Sequence, residues 1–208
     1  MTNTDLNTVR DDISYVRGLA EAGGKGPLLG GPVLIAAAII FGAANFGQYL
    51  LGTGAISADP YAPLWLWIGA GVLFAIALTL IIRRMDANGA ARTTANQAVG
   101  AAWSGVGFGI FAVWLGLMAV GFSTGQWQIM VAMPIVVAAA YGTAWMVAGA
   151  MSKQRWLTGV GLLSYAGAVL VGLTAGTAML YLVFTAFLIA CALIPGIILT
   201  RMAAKGAR

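Results

Sequence analysis

Asn45, Gln48, Gln97, Tyr141 and Thr185 are the residues whose types could do chemistry within the long apolar runs of this 208-residue chain. That chemistry is hydrogen bonding, since amides, a phenol and a hydroxyl can each donate and accept. Asn45 and Gln48 stand three apart, which places them on one face of a helix. A polar group in hydrocarbon needs a partner, and interhelical hydrogen bonds there yield ~0.6–2 kcal/mol. Two roles fit these five residues: glue between helices, or lining for the path of a small polar solute.

Other chemistries lack their residues. There is no histidine, the usual general base and the commonest metal ligand. Cys191 is the one cysteine, so neither an intrachain disulfide nor a zinc or iron–sulfur site can be built from thiolates. The acids are Asp5, Asp11, Asp12, Glu21, Asp59 and Asp86, and none lies inside an apolar run. Paired carboxylates for hydrolysis and the membrane-depth charges that mark ion-coupled carriers are therefore not expected. The run "GVGFG" at 105–109 has no strand before it, so it is not read as a dinucleotide loop. The expectation is a protein that is not an enzyme and carries no cofactor and no metal.

The elements that must position these residues are membrane helices. The chain is 61% hydrophobic and 8% charged, against roughly 25% charged in soluble domains, and its mean hydropathy is +0.91. Uncharged stretches of about 20 residues suffice to cross ~30 Å of hydrocarbon. Six are read, at about 32–51, 64–82, 95–120, 128–151, 156–173 and 178–200. The fold class is all-α: a six-transmembrane-helix bundle over 28–200, preceded by 1–27 and followed by a basic tail, 201–208. Pro32 suits a first helical turn. Pro195, inside the sixth span, removes an N–H and should leave the Cys191 carbonyl without its helical donor, kinking the helix there.

Orientation follows from charge. Arg10, Arg17 and Lys25 precede span one, and Arg83, Arg84 and Arg92 follow span two. Lys153 and Arg155 follow span four, while Arg201, Lys205 and Arg208 follow span six. All bases thus fall on one side, which the positive-inside rule makes cytoplasmic for both termini. The net charge of +5 is a topology signal and does not imply a nucleic-acid partner. Tyr49, Tyr61, Trp65, Trp67, Trp127 and Tyr181 cluster near the outer boundary, with Trp103, Trp145 and Trp156 nearer the inner one, and an aromatic belt accounts for most of them. Small-residue rows, Ala101-xxx-Gly105-xxx-Gly109 and Ala168-xxx-Gly172-xxx-Gly176, predict close packing of spans three and five.

Residues 1–27 lack a continuous apolar core, so no cleavable signal peptide is expected. Within them Leu6, Val9, Ile13, Val16 and Ala20 repeat with heptad spacing. Asp5 and Asp12 flank one edge of that stripe, Arg10 and Arg17 the other. A parallel pairing would set Asp5 against Arg10, and Asp12 against Arg17, of a second copy. Each exposed pair is worth only ~0.2–1 kcal/mol, enough to choose a register. A cytoplasmic amphipathic helix contacting a protein partner or a second copy is the expectation; a helix lying on lipid is the alternative. The run "VRGLAEAGGKGPLLGG", 16–31, resembles uncharacterised small polytopic inner-membrane proteins of proteobacteria. That resemblance implies a bacterial plasma membrane and brings no activity with it.

The function expected from these residues is an accessory, scaffold or regulatory membrane subunit; its alternative is a channel or facilitator for a small neutral or hydrophobic solute. Its partners would be membrane lipids and either a second copy or another membrane or cytoplasmic protein.

Overall fold

The computed structural model describes residues 28–87 and 94–206, and among them every regular element is helical. In chain order these are α1 (Gly31–Gly52), α2 (Ala62–Ala87), α3 (Thr94–Thr124), a 3₁₀ turn (Trp127–Ala132), α4 (Met133–Ser152), α5 (Arg155–Leu173), α6 (Met179–Leu188), a π-helical turn (Ile189–Leu193) and α7 (Ile194–Gly206). They make six helical spans long and apolar enough to cross a membrane, the last running continuously through α6, the π turn and α7. The heptad stripe, with Asp5, Leu6, Val9, Arg10, Asp12, Ile13, Val16 and Arg17, lies outside the described residues.

Helix starts follow from local chemistry. Pro32 and Pro134 occupy first turns, where no intrahelical donor is needed. Pro134 also explains why the fourth span opens in 3₁₀ form. Without an N–H it cannot bond back to the Met130 carbonyl, so the α ladder begins only at Met133. The Asp59 carboxylate accepts the Tyr61 N–H at 2.8 Å and turns the chain into α2. α2 continues past the apolar run that ends near Ile82 to take in Arg83 and Arg84. A helix keeps its ladder beyond the point where hydropathy falls. α4 ends with Lys153 in the left-handed region, φ 55, and Gln154 extended before α5 begins.

The spans alternate in direction. Gly31 at the start of α1 meets Gly196 and Thr200 of α7, while Gly52 at its other end meets Ala178 just before α6. Gly149 lies against Thr158, joining the end of α4 to the start of α5. Leu29 N–H donates to Asn96 Oδ1 at 3.1 Å, so α3 begins where the described chain enters. We call this the entry end, and the opposite one the far end.

Packing is uneven. α4 and α5 pair closely, α1 lies along α6, the π turn and α7, and α5 also packs on α6. α2 rests on α1, whereas α3 rests on α4 and the 3₁₀ turn. The two consecutive helices therefore sit at opposite flanks. Of the apolar windows of α2 and α3 only 6% is buried, against 44% for the last span. Gly105 and Gly109 of α3 have nothing among the described residues within 4 Å of where a Cβ would stand, and both are exposed. This corrects the expectation that the row Ala101, Gly105, Gly109 seals a helix contact. The matching row of α5 is used in part: Ala168 is buried and Gly172 faces Ile135, while Gly176 lies past the helix in a turn.

Candidate functional site

The five polar residues do not converge on one place. At the far end, Gln48 Oε1 accepts the Trp67 indole N–H at 3.2 Å, fastening α1 to α2. The Tyr181 side chain reaches the same amide from α6. Between them opens a cavity of about 240 Å³, lined by Gln48, Gln128, Thr177 and Tyr181 with Val131 and Leu180. It holds amides and hydroxyls and no charged group.

One turn toward the entry end, Asn45 is fully buried. Its Nδ2 donates to the Phe41 carbonyl of its own helix at 2.7 Å, and its Oδ1 has no partner among the described residues. Thr185 likewise turns inward on its own helix, donating to the Tyr181 carbonyl at 2.8 Å. Ser164 does the same with the Val160 carbonyl. Such back-bonds satisfy a hydroxyl in hydrocarbon without any second helix.

An orphaned buried acceptor costs about 1–3 kcal/mol. Asn45→Leu is therefore expected to leave the unfolding free energy unchanged or raise it by up to ~1 kcal/mol, measured by reversible denaturation in mixed micelles. A clear loss of stability would show that Oδ1 is satisfied by a group outside the described residues.

Tyr141 lies in the middle of α4, nearly buried, within an aromatic cluster. Its ring meets Trp103 of α3 edge to face at 5.0 Å, and Phe187 of α6 at 6.0 Å. Trp145, one turn on, stands edge to face with Trp103 at 5.2 Å and has no exposed surface. Gln97 is exposed in the first turns of α3, at the entry end. The structure thus joins Gln48 to a cavity, places Asn45 beside that level, and sets Tyr141 and Gln97 elsewhere.

The Pro195 region holds a contact that sequence reasoning missed. Just before this buried proline the helix widens into the π turn, where Ile194 N–H bonds five residues back to Ile189. Pro195 cannot donate to the Cys191 carbonyl. The Trp145 indole N–H does so instead, at 2.9 Å from α4. A tryptophan read by type as an interfacial anchor is thereby a buried cap on a broken helix. The spacing of Tyr141 and Trp145, four apart, sets both on one face of a helix but says nothing of the acceptor.

Among the described residues, no three His, Cys, Asp or Glu side chains gather where they could hold a metal ion. The fold is that of a multi-pass helical membrane protein, by the length and apolar composition of its six spans. No protein-family profile, curated protein or solved structure matches this chain.

Proposed function

We propose that this chain is a non-enzymatic integral membrane protein that works as an accessory, scaffold or regulatory subunit, through lateral and cytoplasmic protein contacts. The observation that carries this reading is the placement of α2 and α3, whose glycine-bearing faces are left open at the two flanks. Close approach through small residues is the chief route to helix association in lipid. The engagement of Thr185 and Ser164 with their own helices supports it, since hydroxyls spent on the backbone do not line a path.

In this reading both termini face the cytoplasm of a bacterial inner membrane, because the sequence sets every base in segments on one side of the six spans. The heptad stripe with Leu6, Val9, Ile13 and Val16 is then a second contact, made outside the bilayer with a partner or another copy. Ile13→Asp with Val16→Asp should reduce crosslinking of the full-length protein in native membranes at least several-fold. Crosslinking at the parental level would remove the N-terminal contact from the proposal.

The second reading, a channel or facilitator for a small neutral solute, is favoured by the cavity at Gln48, Gln128, Thr177 and Tyr181. Solute flux into liposomes containing the purified protein separates the two readings.

A further inference from the structure

The entry end carries six exposed cations in three pairs: Arg83 and Arg84 closing α2, Lys153 and Arg155 at the α4–α5 turn, Arg201 and Lys205 near the end of α7. None of the six is ion-paired among the described residues. The described far-end loops, by contrast, carry one charged residue, Asp59. Excess charge of one sign at one end of a bundle calls for counter-charge, and most of it is not supplied by the described chain.

The neighbours of these cations say where the counter-charge must lie. Leu80 and Ile82 beside the first pair, Met151 beside the second, and Ile198 and Met202 around the third are all exposed apolar side chains. Each pair therefore stands on the rim of a lipid-facing apolar surface. Aliphatic stems can run along that rim while the charged heads reach out of it. Four of the six are arginines, whose forked donors match phosphate oxygens two at a time. Trp156, next to Arg155, gives its indole N–H to Gln154 Oε1 at 2.8 Å, an amphipathic ring at the same level.

We propose that the entry end is a docking face for anionic phospholipid, with headgroup phosphates bound by the pairs Arg83/Arg84, Lys153/Arg155 and Arg201/Lys205. The pairs are distributed over α2, the α4–α5 turn and α7, so lipids seated there brace helices that touch each other little. The occupant is the lipid of one leaflet and not a soluble anion, because each pair adjoins apolar surface that acyl chains cover. This inference does not depend on whether the protein is a subunit or a facilitator.

The test uses the full-length protein in micelles doped with equal phosphatidylglycerol and phosphatidylcholine, with retained lipids counted by native mass spectrometry. Phosphatidylglycerol should be retained about tenfold over phosphatidylcholine, on the scale of ~1 kcal/mol per basic side chain at a membrane surface. The preference should shrink in raised salt. Changing any one pair to glutamine should reduce it several-fold, and changing all six should abolish it. Exchanging Arg for Lys at the four arginines should keep the part owed to charge and lose the part owed to the forked donors. Melting temperatures in phosphatidylcholine alone check that every variant is folded.

Equal retention of the two lipids by the parent protein would overturn the proposal, as would an unchanged preference in the sixfold variant. Inorganic phosphate matching the thermal shift given by phosphatidylglycerol would reassign the face to soluble anions. A preference seen only after Asp5, Asp11, Asp12 and Glu21 are amidated by substitution would assign it to the chain's own N-terminal acids.

Discussion

Trp145→Ala is expected to lower the unfolding free energy by about 3–5 kcal/mol, the range for deleting a fully buried large aromatic. Two losses combine in this variant. The indole fills space between α3, α4 and the last span, where it meets Trp103 and reaches the π turn. Its N–H is also the donor that replaces the one Pro195 lacks, so the Cys191 carbonyl would be stranded in a buried site. Trp145→Phe separates the two effects. It keeps most of the ring and removes only the donor, so a loss of ~1 kcal/mol is expected. Adding Pro195→Ala to Trp145→Phe should recover that part, because alanine restores the helical N–H. Denaturation of the purified variants in mixed micelles measures all three. A Trp145→Ala variant as stable as the parent would contradict the capping role.

Gly31→Val should be the most damaging change outside the aromatic cluster. A Cβ at Gly31 would collide with Thr200 Oγ1 and stand 2.6 Å from the Gly196 carbonyl, an obstacle that cannot swing away. The contact is reciprocal, since a Cβ at Gly196 would meet the Gly31 carbonyl at 3.0 Å. Valine must push α1 off α7, and overpacking of this kind costs about 1–3 kcal/mol. Gly105→Val on α3 has the same chemistry and should be nearly silent in the isolated protein, because nothing among the described residues stands within 4 Å. Crosslinking in native membranes tests the same pair of variants in the assembled state. There Gly105→Val should weaken association if the open face of α3 is a partner surface.

That contrast also measures what the sequence conveys. The six spans are legible because hydrocarbon thickness demands long uncharged runs, and little else produces them. The small-residue rows of α3 and α5 are equivalent as sequence, yet α5 uses much of its row and α3 leaves its row open. Lipid is as apolar as a helix neighbour, so composition does not say which face is covered. Gln48 was legible as polar at membrane depth. Its companions Trp67 and Tyr181 come from other helices, and Gln128 and Thr177 from span boundaries where polar residues attract no notice. Trp145 was misread as an anchor because its acceptor lies 46 residues away, on a carbonyl freed by Pro195.

The meeting of Gly31 with Gly196 has a consequence in time. α1 is made before the final span, on which lies the surface α1 needs. At ~5–20 residues per second, that surface is synthesised roughly ten to thirty seconds after α1. Through that interval α2 is the described helix on which α1 packs most, with Gly47 on Leu66 and Phe41 on Phe74. α2 is thus the main described companion of α1 until the last helix arrives to close the fold.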